Sequence, residues 1–126
     1  MSQVYHLNIN NRAFNAIYEE RKKIEIRANK KGRIDYSKLQ KDDYIIFKDL
    51  KTASNILCKV IRKNWYATVQ SLLETEGTEY SLSSTNSIEE GIKSIESISD
   101  YKEVIERNGV YAIAIERLSE LFVFDK

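Results

Sequence analysis

The stretch Arg21-Lys22-Lys23-Ile24-Glu25-Ile26-Arg27 sets Ile24 and Ile26 against Lys23, Glu25 and Arg27. A period of two is the mark of a strand with one apolar and one charged face. Upstream, Val4–Ile9 alternates in the same way, and Asn10-Asn11 offers an N-cap to a short amphipathic helix over Arg12–Glu20. Downstream, Asn29–Arg33 reads as a basic loop and Tyr36–Asp42 as an irregular approach to a strand pair, Asp43–Asp49 and Ser54–Lys63, joined through Lys51-Thr52-Ala53. After Trp65-Tyr66, apolar spacing gives helices around Val69–Leu73, Ile88–Ile98 and Tyr101–Arg107. Gly109 then breaks the pattern before strand composition returns at Val110–Ile115 and Leu121–Phe124. Strands not regularly separated by crossover helices exclude a βαβ repeat. The expectation is an α+β fold: a small β-barrel of about five to six mostly antiparallel strands with peripheral helices.

The 126 residues suffice for a single domain, 1–126, with one core, and contain no proline, repeat or low-complexity linker. No apolar run reaches the roughly 20 residues of a membrane span. Cys58, the one cysteine, has no intrachain partner, and Met1–His6 lacks a signal-peptide pattern, so a reducing cytoplasm is the expected location. The net charge of +1 hides an uneven distribution. Arg21–Lys41 carries nine basic residues against two acidic ones, a balance of +7, and Ser71–Glu106 carries nine acidic against two basic, a balance of −7. Were folding to keep these segments apart, one face would suit phosphates and the other would be solvated or serve a protein partner whose identity nothing specifies.

Taken together, Arg21–Arg27, then Lys41-Asp42-Asp43-Tyr44-Ile45-Ile46-Phe47, then Gly109-Val110-Tyr111-Ala112-Ile113-Ala114-Ile115 resemble the early, middle and final strands of ASCH domains. The resemblance runs from Val4 to Leu118. It implies a PUA-like barrel with a positively charged cleft beside the first helix, and RNA or a nucleoside-like ligand as partner. Some single-domain relatives hydrolyse acetylated cytidine with a lysine, a threonine three residues later and a glutamate elsewhere. That pattern puts Lys22 and Glu25 at the lysine and threonine positions, as the pair that would be catalytic in a hydrolase acting on a modified nucleoside or on RNA. The departure matters, because an acyl adduct of a carboxylate is an anhydride, unlike the ester a hydroxyl would form. Glu20 and Asp42 also stand where the family commonly has glycine.

In this reading the ligand residues are Lys22, Lys23, Glu25, Arg27, Lys30, Lys31, Arg33 and Tyr111. Arg27 would clamp a phosphate or base edge through its fork of donors, Lys22 would add charge, and Glu25 would orient Arg27 or accept from a base amino group. The plainer alternative is a solvated strand face whose Glu–Arg pair contributes about 0–1 kcal/mol. A charged row in so small a barrel is expected to line an external cleft, since side chains fill the interior. Trp65 and Tyr66 offer rings for a base, against a packing role at a strand end. A single histidine, His6, and the lone Cys58 make no metal set, and no Gly-rich phosphate loop or other motif calls for a cofactor.

Overall fold

The structure, a computed structural model, describes residues 2–118 and 122–123. Strand β1 (Val4–Ile9) leads into helix α1 (Asn11–Tyr18), capped by the Asn10 side chain, which accepts from the Ala13 amide at 2.9 Å. Strand β2 (Ile24–Arg27) follows, then β3 (Tyr44–Asp49) and the long β4 (Ser54–Tyr66). Helices α2 (Val69–Glu76), α3 (Ile88–Glu96) and α4 (Tyr101–Asn108) precede β5 (Val110–Arg117). Phe122–Val123 forms the short β6 against Ser54 and Asn55; Leu121 and Phe124 of the expected closing strand lie outside the described residues. Among the described residues no helix is long and apolar enough to cross a membrane.

The strands run in the order β1-β3-β4-β5-β2, curled into a half-barrel; β1 and β3 are parallel and the remaining pairs antiparallel. This is the small barrel-like α+β architecture that the alternation implied. Inside the curl, Leu7, Phe14, Ile17, Phe47, Ile56 and Val60 pack as one cluster. On the convex side, Ile24, Leu72, Leu73, Val104, Ile105 and Ala112 form a second, which binds α2–α4 to β2 and β5.

The hairpin between β3 and β4 turns on Asp49. Its buried carboxylate accepts from the Lys51 amide, the Thr52 hydroxyl and Asn11 Nδ2 at 2.7–2.9 Å, tying the turn to the start of α1. These bonds outweigh the effect of burial and hold the Asp49 pKa below the usual aspartate value.

The two oppositely charged segments do not stay apart. The amides of Lys23 and Ile24 donate to the Tyr80 carbonyl at 2.9 and 3.0 Å, and the Ala28 amide donates to the Tyr101 hydroxyl at 3.3 Å. The physical reason lies in the alternate residues: Ile24 and Ile26 belong to the apolar cluster of the helices, and burying them draws the basic strand onto the acidic segment.

Non-glycine residues take left-handed backbone at Glu20 (φ 62°) and Asp42 (φ 74°). Such a conformation costs about 1 kcal/mol where a Cβ is present. Each of these exposed carboxylates has a half-buried cationic neighbour, Arg117 at 3.5 Å from Glu20 and Lys59 at 3.4 Å from Asp42, which offsets little of that cost. Glu20→Gly and Asp42→Gly are therefore each expected to stabilise the fold by roughly 0.5 kcal/mol, with the corresponding alanine variants not doing so, as read from urea unfolding.

Candidate functional site

The charged row of β2 faces the inside of the curl. Glu25 lies opposite Ile113 and Arg27 opposite Tyr111 in the β2–β5 ladder, and directly paired residues share a face. Ile113 and Tyr111 belong to the inner cluster, so the expected external row is corrected: Glu25 and Arg27 point inward, at the seam where the curled sheet remains open. The helices cover the opposite face of β2, and that side takes its isoleucines.

At the seam the charges satisfy one another. Arg27 Nε donates to Glu25 Oε2 at 2.7 Å, and its Nη2 donates to the Asn8 carbonyl of β1 at 2.9 Å. Lys22 Nζ lies 3.5 Å from Glu25 Oε1 and donates to the carbonyls of Ile24 and Ser81, both at 2.7 Å. Lys22 and Glu25 are each about 7% exposed at the side chain, Arg27 17%. Burial pushes the Lys22 pKa down, although Glu25 pulls in the opposite direction. Burial also works against the Arg27 charge, but Glu25 more than compensates and keeps it protonated.

These groups floor a cleft of about 340 Å³ between the ends of the sheet path. Asn10 and Arg12 from the start of α1 form one wall, Ser81–Ser84 and Ser94 another, and Tyr101 closes one end. The Ser81 hydroxyl is buried in this wall without a hydrogen-bond partner. Leaving a hydroxyl so costs about 1–3 kcal/mol unless something else fills the bond. Sequence reading missed this wall, although Ser81-Leu82-Ser83-Ser84-Thr85-Asn86-Ser87 is conspicuously rich in hydroxyl and amide side chains.

The other candidates scatter. Lys23 is exposed, with Nζ 5.3 Å from the centre of the Tyr80 ring, and lines a separate hollow with Ile17, Ile61 and Arg117. Lys30 stands 5.9 Å from the centre of the Tyr101 ring, which brings the basic loop to the rim of the cleft; Lys31 and Arg33 beside it are exposed. Tyr111 does not line the cleft: it packs in the inner cluster beneath Lys63, whose Nζ lies 5.6 Å from the ring centre. Tyr66 donates to Glu76 at 2.5 Å, and Glu76 also takes both terminal nitrogens of Arg62, so Tyr66 is not an open platform. Cys58 is buried, its thiol pushed up by burial to about 12, as befits a packing residue. Among the described residues no group of His, Cys, Asp and Glu is arranged to hold a metal.

The molecule is thus a small, half-barrel α+β domain with a charged cleft at its open seam. No family model matches the chain, and no curated protein does. Solved structures do: hypothetical protein PH0355 is 30% identical with a TM-score of 0.78, over 92% of this chain and 100% of that one. Protein PF0455 from Pyrococcus furiosus, determined by solution NMR, is 29% identical with a TM-score of 0.71, over 93% of this chain and 99% of that one. At this identity and coverage the chain belongs to one family with PH0355. That likeness carries the fold; the chemistry of the cleft rests on its own residues.

Lys22, with its donors engaged by two carbonyls and Glu25, ties β2 to the serine wall. Replacing it by methionine is expected to destabilise the protein by about 3 kcal/mol, since two carbonyls and a carboxylate lose their partner. A lowered amine pKa means that the folded state binds fewer protons there than the unfolded chain. Wild-type stability should therefore rise with pH from that lowered value towards about 10.4, a rise absent from Lys22→Met in denaturant titrations across pH.

Proposed function

We propose that this chain is an ASCH domain of the PUA-like type that binds RNA, receiving one nucleotide in the seam cleft while the basic loop holds the flanking backbone. The observation that carries the reading is the cleft itself: about 340 Å³, floored by the Glu25–Arg27 pair and walled by the polar segment Ser81–Ser84. That volume lies in the range of small-molecule sites and suits a nucleoside-sized group. Arg27, held by Glu25 and the Asn8 carbonyl, presents its guanidinium at the cleft floor as a donor fork for a phosphate or base edge. Lys30 at the rim, with the exposed Lys31 and Arg33 following it in the loop, supplies the sequence-independent charge.

The backbone supports the family assignment as well. The positions where ASCH domains commonly carry glycine fall on Glu20 and Asp42, and both have the positive φ that glycine favours. A pattern of glycines is thus matched by the conformations that would require them, even though the glycines are gone.

One observation favours a second reading, a hydrolase of a modified nucleoside or of RNA. Lys22 has a lowered pKa and stands 3.5 Å from Glu25, a pairing that could share a proton and let Glu25 act as base for a water. Against it, Lys22 already donates to two backbone carbonyls, which makes it a strut before it is an acid.

Single-stranded RNA should bind the wild type with an affinity that falls with salt. Neutralising Lys30, Lys31 and Arg33 together should reduce the slope of log K against log salt by about 2, from roughly 0.7 per phosphate contact. Arg27→Lys, which keeps the charge but loses the fork, should weaken binding at every salt concentration. Absence of RNA binding together with salt-independent hydrolysis of acetylated cytidine would replace this reading by the hydrolase.

A further inference from the structure

We propose that Trp65 is a second subsite, a stacking platform for the base next to the one in the cleft; the inference rests on the RNA-binding reading and extends it. Trp65 pairs with Tyr111 in the β4–β5 ladder, and Tyr111 pairs with Arg27 in the β5–β2 ladder. The three side chains therefore form one row on one face of the sheet. Two strand spacings, about 10 Å at the backbone, separate Trp65 from Arg27. Neighbouring nucleotides of an extended single strand can bridge that separation.

The indole is both open and held. It is 55% exposed, among the largest apolar exposures of the described residues, yet its Nε1 donates to the Asn108 carbonyl at 2.9 Å. Gly109 lies against the ring: a Cβ built there would come within 2.3 Å of Nε1 and 2.6 Å of Cζ2. Gly109 also has φ +77°, so this position excludes a side chain on two separate grounds. A rim tryptophan that merely covered neighbouring atoms would need neither the fixed hydrogen bond nor the glycine bed to leave half its surface in water. A ring fixed in orientation with surface exposed is what base stacking uses, because little side-chain freedom is lost on binding.

The surroundings favour a polyanion over an apolar protein partner. Lys63, two residues earlier on β4, is anchored by its Nζ to the Ser37 carbonyl at 2.6 Å. Asn108, which holds the indole, also reaches the Asn29 carbonyl at the base of the basic loop, at 3.5 Å. The platform and the loop thus meet at α4, with positive charge on both sides of the path from cleft to ring.

Trp65 is the only tryptophan of the chain, so intrinsic fluorescence reports on this subsite alone. The full chain is titrated with a short single-stranded oligoribonucleotide and, separately, with inorganic polyphosphate, while a labelled copy of the RNA reports binding by anisotropy. The expected result is quenching that follows the anisotropy curve with RNA and is absent with polyphosphate. Trp65→Ala should weaken RNA binding about 5- to 150-fold, and Trp65→Phe should retain most of the affinity. RNA that binds without quenching, and with equal affinity for Trp65→Ala, overturns the platform and leaves the cleft reading standing. RNA that does not bind by anisotropy overturns both. Should Trp65→Ala fail to fold, the wild-type quenching still decides.

Discussion

The bond from Arg27 to the Asn8 carbonyl is the contact on which the seam depends. A curled sheet whose path ends at β1 and β2 leaves two edges of unpaired backbone, and such edges have to be covered or bridged. Beyond Ile24, β2 is met by a side chain in place of a further strand: the guanidinium spans to β1 with one nitrogen while another is held by Glu25. Arginine can do both because its donors are fixed in a planar fork; an ammonium on a flexible stem would have to choose. A carboxylate on the inner face of an apolar curl is tolerable only with counter-charges in contact, and Lys22 and Arg27 supply them. One carboxylate set against two cationic side chains makes this part of the cleft a place for a partly anionic guest. Structure and proposed function thus arise from the same three residues.

Much of this was legible in the chain. Alternation located β1 and β2, strand composition located β3, β4 and β5, and Asn10 was readable as a cap that the structure bears out. Helices α2 to α4 followed from apolar spacing, with boundaries off by a few residues, as frayed ends usually are. What could not be read was the direction in which β2 faces. A period of two fixes which residues go together and leaves open which set meets the core, because that is settled by whether the helices cover the isoleucine side. The expectation of an external charged row assumed an interior wholly filled by apolar side chains, and the open seam is where that assumption fails.

The same blindness to long-range contacts explains the misplaced residues. Lys23 shares the alternation of Glu25 and Arg27 but stands one step beyond β2, where the exposed end of the sheet receives it. Ser81 is separated from Lys22 by 59 positions and becomes part of the cleft only because the lysine draws its carbonyl in. No local pattern could announce that pairing. A hydroxyl-rich stretch was visible, but the same composition describes any solvated loop.

The left-handed residues show how the chain delivers Lys22 to its place. At the end of α1 the amides of Arg21 and Lys22 both return to the Ala16 carbonyl, at 2.8 and 3.0 Å, a tight reversal that Glu20 enters at φ 62°. Without that reversal the chain would leave α1 along the helix axis, and Lys22 would not pass beneath the serine wall. Asp42 plays the corresponding part at the entrance to β3, where its amide donates to the Val60 carbonyl at 2.8 Å and starts the β3–β4 pairing. Two of the four positive-φ non-glycine residues thus stand where the direction of the chain decides which side chains enter the barrel; the others are Ala53 and Asp100. Glycine would relieve the strain at either point, yet the required turn would be the same. The conserved quantity to look for in related chains is accordingly the sign of φ at these positions, with residue identity free to vary around it.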